Sequence, residues 1–245
     1  MMKKILLLTD NEELLKRFKT LIHESELDNS KYNFEYAFSF NNKAFIEKFK
    51  NVDWIKPLKV KDKVDFLTKE YEMIFSLHCK QIFPANLVNK VKCINIHPGL
   101  NPYNRGWYPQ VFSILNSLPC GATIHEIDEH LDHGLIICQK EVKISMWDTS
   151  LTAYNKILDA EIELLSENLE KILDQKYETT IKEEGNINLK KDFDNLCQID
   201  LENKDTFKNH INKLRALTHG HYTNAYFIDD SGNKVFLKLE LIKEN

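Results

Sequence analysis

The chain lacks several features that would tie it to a common function class. Its five cysteines, Cys79, Cys93, Cys120, Cys138 and Cys197, are odd in number, scattered and never in a C-x-x-C pair. That pattern argues against structural zinc and disulfide frameworks and points to free thiols in a reducing cytosol. Basic residues are not in excess: 33 Lys and Arg stand against 37 Asp and Glu, for a formal net charge of -4. This speaks against a polyanion-tracking nucleic-acid binder. The N-terminal apolar run, Ile5 to Leu8, is too short for a signal region or a membrane span and is closed by Asp10 and Glu12, so a cytoplasmic protein without membrane insertion is expected. Neither G-x-G-x-x-G nor G-x-x-x-x-G-K-[ST] occurs, and NAD or ATP chemistry loses support accordingly.

What is present is an alternation of short apolar runs with helical spacings. Lys4 to Thr9 reads as a strand, and Asp10 and Asn11 then offer capping side chains to a helix carrying Leu14, Leu15, Phe18 and Leu21. Further strand-like runs lie at Glu72 to Leu77, Cys93 to His97, Ala122 to Ile127 and Leu135 to Val142. The fold class expected is α/β, with a mostly parallel sheet. Thr149 to Leu173 keeps the longest helical stripe. Between Gln175 and Leu201 the periodicity fades into polar stretches such as Glu183-Glu184-Gly185-Asn186, which reads as a surface linker. The expected division is a main domain at 1–185 and an extension at 186–245, made of a helix from Asp205 to Leu217 and a hairpin of Asn224 to Ile228 with Lys234 to Ile242.

The densest unusual segment follows the Cys93 to His97 strand: Asn95-Ile96-His97-Pro98-Gly99-Leu100-Asn101-Pro102-Tyr103-Asn104-Arg105-Gly106-Trp107-Tyr108-Pro109. Asn95 and His97, two apart in a strand, point to one face, so an amide donor and an imidazole base can converge on one substrate atom. The pair suits acyl transfer, with Asn95 donating to a developing oxyanion and His97 accepting a proton. Taken singly, each residue also reads as a satisfied polar group at a strand end. Pro98, Gly99, Pro102, Gly106 and Pro109 impose an irregular loop that carries Arg105, Trp107 and Tyr108. Arg105 can pair with phosphate and an aromatic ring can stack on a base, while a structural aromatic cluster is the alternative. Asp132, in His130-Leu131-Asp132-His133-Gly134, can orient and charge-stabilise His97, or simply form an Asp-x-Gly turn. His125, His130 and His133 lack a zinc-ligand pattern, and no metal is expected. Leu77 to Pro84 offers backbone groups to a flat heterocycle or forms a plain connection, and Cys79 lacks the surroundings of a thiol nucleophile.

Together, Asn95-x-His97, the Arg105-Gly106 loop and Leu131-Asp132-x-Gly134 resemble the N10-formyltetrahydrofolate-dependent formyltransferases. The segments Asn101 to Gln110 and Leu214 to Phe227 are similar to the sugar N-formyltransferase branch. The resemblance implies a Rossmann-like domain, N10-formyltetrahydrofolate as formyl donor, and Asn95, His97 and Asp132 as the catalytic trio. It places the pterin against Leu77, His78, Cys79, Lys80 and Gln81 on one side and Ile127 and Asp128 on the other. It further implies that a dTDP-linked amino sugar, used in O-antigen or other cell-surface glycan synthesis, is bound by Asn104, Arg105, Gly106, Trp107, Tyr108, Tyr222 and Asn224. A homodimer formed through the C-terminal helix and hairpin is implied as well. Other members carry His-Gly-Asp where this chain has His221. The 4-amino sugar is favoured over the 3-amino sugar. Formylation of methionyl-tRNA or of glycinamide ribonucleotide, or a non-catalytic folate- or nucleotide-binding module, are the alternatives.

Overall fold

The structure, a computed structural model, describes residues 2–28, 30–181 and 185–244. Strands are β1 (Lys3–Thr9), β2 (Tyr32–Ser39), β3 (Ile55–Leu58), β4 (Met73–Leu77), β5 (Lys92–His97), β6 (Arg105–Gly106), β7 (Gly121–Glu126), β8 (Ile136–Glu141), β9 (Ile187–Asn188), β10 (Thr218–His219), β11 (Tyr222–Thr223), β12 (Ala225–Ile228) and β13 (Lys234–Leu237). Helices are α1 (Glu12–Glu24), α2 (Lys43–Lys48), α3 (Val64–Glu70), α4 (Ala85–Val88), α5 (Pro109–Asn116), α6 (Ser150–Leu173), α7 (Lys190–Cys197) and α8 (Phe207–Leu217).

Seven strands form the central sheet in the order β3-β2-β1-β4-β5-β7-β8. β1 pairs in parallel with β2 and β4, β2 with β3, and β4 with β5, while β7 runs antiparallel to β5. The mostly parallel α/β expectation holds. The run that opens the chain becomes β1 because Ile5, Leu6, Leu7 and Leu8 are all buried, as a strand covered on both faces requires. α1 begins where Asn11 Oδ1 accepts the Leu14 N–H at 3.0 Å, and it buries Leu14, Leu15 and Phe18. Parallel register puts Thr9, Leu77 and Ile96 at matching heights, so the chain leaves β1, β4 and β5 at one edge of the sheet. Chain direction across the sheet reverses between β1 and β4, the usual place for a ligand crevice in such folds.

Among the described residues there are two compact units, one drawn from 1–97, 123–139 and 161–182, the other from 98–122, 140–160 and 183–245. The first unit has a core that includes Leu6, Leu8, Val60, Leu67, Ile74 and Leu87. The second has its own around Val111, Ile114, Ala153, Phe193, Leu217 and Ala225.

The stretch expected to be a surface linker instead contains β9 and α7, and Phe193 of α7 is buried against the Tyr108 ring at 4.2 Å between centroids. Glu183 and Glu184 of that stretch lie outside the described residues. The second hairpin strand ends at Leu237 rather than Ile242. All five cysteines are free thiols, and no helix among the described residues is long and apolar enough to cross a membrane.

Candidate active site

In the first unit, β5 and β7 put three polar side chains on one face of the sheet. Asn95 and His97 alternate along β5, and His125 stands directly opposite Asn95 on β7. The loop after β7 returns over that face because Gly134 lies against the end of the strand, where an added Cβ would stand 1.9 Å from the Glu126 carbonyl oxygen. Asp132, in this loop, adopts a left-handed backbone at φ 48. Its carboxylate accepts the Asn95 Nδ2 hydrogen bond at 3.0 Å and lies 3.5 Å from His97 Nδ1. The three residues expected to act together therefore converge.

His125 is the residue that sequence reasoning missed, having been weighed only as a metal ligand. It is fully buried, and its Nδ1 lies 2.7 Å from the Glu126 carbonyl, which requires an N–H there. Burial holds its pKa below the ordinary 6.5, against the opposing pull of Asp132. The ring is thus neutral, and its bare Nε2 accepts from Asn95 Nδ2 at 3.1 Å. Both hydrogens of the Asn95 amide are placed, one on a carboxylate and one on a neutral imidazole. The only signal for this in the sequence was period-two spacing of Thr123 and His125 on a strand destined to pair with β5.

The Leu77 to Gln81 segment is pinned from within. Leu77 is buried at the end of β4, and His78 turns the chain with φ 55. The His78 ring accepts from Asn11 Nδ2 at 3.4 Å and meets Glu161 at 2.7 Å through Nε2. Asp10 accepts the Lys80 N–H at 2.9 Å and also binds Ser39 and Asn42. Gln81 spends its amide on the Val60 N–H, Ser39 Oγ and the Leu58 carbonyl. Burial pushes the Cys79 thiol up to about 12. The side chains of Cys79 and Gln81 are thus engaged within the segment, and Lys80 presents an exposed side chain. Ile127 extends the β5 ladder through its N–H to Cys93 O. Asp128 holds the following loop by accepting His130 N–H and pairing with His133 Nδ1 at 2.7 Å. Among the described residues no group of three His, Cys, Asp or Glu side chains could hold a metal ion.

In the second unit, the Asn104 to Tyr108 loop is held by β9. Arg105 N–H donates to Asn186 O at 3.1 Å and Trp107 N–H to Asn188 O at 2.8 Å. Asn104 is fully buried and hydrogen-bonded to Ser113, Asn116, Asn186 and Asn188, so its side chain sits inside the loop. Arg105 Nε is buried and meets no acceptor among the described residues. Trp107 and Tyr108 pack edge to face at 5.6 Å, and Tyr108 leans on Phe193. Tyr222 is exposed and stacks on His221 at 4.2 Å, whereas Asn224 spends its amide on the last carbonyl of α8, Leu217 O, at 3.0 Å.

A family profile described as formyl transferase matches residues 38–169, and one described as N-formyltransferase dimerization C-terminal domain matches residues 192–243. The chain is 50% identical over 188 residues to a dTDP-4-amino-4,6-dideoxyglucose formyltransferase of Mycobacterium bovis, covering 76% of this chain and 80% of that protein. A 4-N formyltransferase from Francisella tularensis superposes with a TM-score of 0.93 at 46% identity, over 99% of each chain. A sugar N-formyltransferase from a Shewanella species does so with a TM-score of 0.93 at 41% identity, over 99% of this chain and all of that one.

Proposed function

Because this chain belongs to the formyl transferase family, we propose that it transfers the formyl group of N10-formyltetrahydrofolate to the 4-amine of dTDP-4-amino-4,6-dideoxyglucose. The observation that carries the chemistry is the convergence of Asn95, His97 and Asp132, since an amide donor, an imidazole and a carboxylate on one face are what formyl transfer to an amine requires. Their donor set fits the folate as a substrate that brings an activated formyl carbon. The acceptor identity rests on the relatives at 50% and 46% identity.

In this reading the Asp132 carboxylate holds the His97 imidazole through its Nδ1 side. His97 Nε2 is then the basic nitrogen that takes the proton lost by the attacking amine and returns it to N10 as the formyl carbon–N10 bond breaks and tetrahydrofolate leaves. Asn95 donates to the carbonyl oxygen as negative charge develops there. The hydrogen it contributes is the one resting on His125 Nε2, because a neutral imidazole holds a hydrogen bond less tightly than either the Asp132 carboxylate or an oxyanion. His125 thus keeps the amide aimed until the charge appears. Arg105, with a buried Nε awaiting an acceptor, pairs with the diphosphate, and Trp107 with Tyr222 supplies aromatic surface for the nucleotide. The segments around Leu77 to Gln81 and Ile127 to Asp128 serve the pterin mainly with backbone groups.

We further assign catalysis to residues 1–185, dimer formation to residues 186–245, in keeping with the dimerization profile there, and a cytoplasmic role in making cell-surface glycans such as O-antigen. Incubating the protein with N10-formyltetrahydrofolate and dTDP-4-amino-4,6-dideoxyglucose tests the assignment. A sugar product heavier by one CO is expected, and its absence under conditions where both substrates bind would overturn it.

A further inference from the structure

The loop carrying Arg105 and Trp107 is shaped by three asparagines, two of them more than 80 residues away in a stretch that reads as linker. Asn104 takes a left-handed backbone, φ 50, a conformation unfavourable for most side chain-bearing residues and tolerated best by Asn. Its N–H donates to Asn186 Oδ1 at 2.8 Å, and Asn186 Nδ2 donates back to Asn104 Oδ1 at 2.6 Å, closing a reciprocal pair. Asn188 Nδ2 reaches the same oxygen at 3.2 Å, as does Asn116 Nδ2 at 2.7 Å. Asn104 Nδ2 in turn donates to Ser113 Oγ at 2.9 Å. The bonds within Asn104, Asn116 and Ser113 anchor the loop to α5, and those from Asn186 and Asn188 anchor it to β9.

The two-residue ladder of β6 with β9 pairs Arg105 with Ile187 and Gly106 with Asn188 in parallel, and a ladder so short has little stability of its own. The backbones approach so closely that a Cβ on Gly106, at φ 90, would stand 2.4 Å from Asn188 O. Loss of the Asn186 and Asn188 side-chain bonds therefore leaves this strip of loop held to β9 through the Arg105 N–H to Asn186 O and Trp107 N–H to Asn188 O bonds, with no change in any group that would touch a ligand.

We propose that Asn186 and Asn188 are positioning residues for the acceptor, holding Arg105 and Trp107 in the arrangement that receives the nucleotide diphosphate of the sugar. The proposal rests on the reading of that loop as the acceptor site. Steady-state kinetics of Asn186→Ala and Asn188→Ala, varying dTDP-4-amino-4,6-dideoxyglucose and N10-formyltetrahydrofolate separately, test it. Each variant is expected to raise KM for the sugar by about fivefold to thirtyfold, the effect of losing one or two buried hydrogen bonds, with kcat and donor KM within about twofold. Calorimetric binding of dTDP alone weakens in parallel.

A sugar KM within about twofold of wild type in a folded variant overturns the proposal, as does an equal rise in both KM values. If Asn186→Ala fails to fold, Asn188→Ala carries the test, because it removes only the longest of the three donors to Asn104 Oδ1. Arg105→Ala separates the two layers. If it leaves sugar KM unchanged, the reading of the loop fails; if it raises sugar KM while Asn188→Ala does not, only the positioning role fails.

Discussion

Replacing Asp132 by Asn isolates the electrostatic part of the proposed mechanism while preserving shape. The carboxylate lies 3.5 Å from His97 Nδ1 and its side chain is only 10% exposed. When His97 takes the proton of the attacking amine it becomes a cation, and Asp132 is the anion in contact with it. Coulomb's law at that separation gives about 1 kcal/mol in water and about 5 kcal/mol at an effective dielectric of about 20, the value suited to a mostly buried pair. An amide at position 132 can still accept from Asn95 Nδ2, so that bond survives in weakened form. The expected loss in kcat is therefore roughly 100- to 1000-fold, with KM for both substrates changed by less than about threefold. Coupled detection of tetrahydrofolate release, with dTDP-4-amino-4,6-dideoxyglucose saturating, measures it. An Asp132→Asn enzyme within about fivefold of wild-type kcat would overturn this electrostatic role for the carboxylate.

His125→Gln is expected to flatten the acid side of the stability profile. Burial keeps the folded pKa of His125 below 6.5, so the unfolded chain binds the proton first and stability falls as pH drops through 6.5 towards the folded value. One such group contributes a slope of up to about 1.4 kcal/mol per pH unit. Urea unfolding at about pH 7.5 and about pH 5.5 reads the difference, and equal slopes in both proteins would contradict the buried neutral ring. Gly134→Ala brings a Cβ to 1.9 Å from Glu126 O; a loss of about 2 to 4 kcal/mol in urea stability is expected, together with reduced turnover as the Asp132 loop is pushed away. A neutral effect on both would show that the loop is not held by that close approach.

Much of the site was legible because it obeys local rules. Asn95 and His97 share a face by the simple alternation of a strand, and the prolines and glycines behind them could only make a loop. The long helix, the opening strand and the C-terminal hairpin follow from period and capping alone. β2 and β3 did not announce themselves: Asn33 and Glu35 interrupt the first, and the second is four residues long, contains Pro57 and lies at the sheet edge. Asn186 and Asn188 fall in the polar stretch that reads as a surface linker, because asparagine usually bonds to its own neighbourhood, yet here their partner is Asn104, and no local pattern encodes that. α7 was hidden by a polar face, since of its eight residues only Phe193 is buried. His125 illustrates the same limit within the site, its role set by a cross-strand neighbour and not by spacing.

The most direct test offers the enzyme N10-formyltetrahydrofolate with an equimolar mixture of dTDP-4-amino-4,6-dideoxyglucose and its 3-amino counterpart, and identifies the product by mass and by NMR. A formamide on the C-4 nitrogen is expected, favoured by at least about tenfold in kcat/KM. A formamide on C-3 would correct the acceptor while leaving the chemistry standing, and the absence of any formylated sugar would contradict formyl transfer to a nucleotide-linked amino sugar.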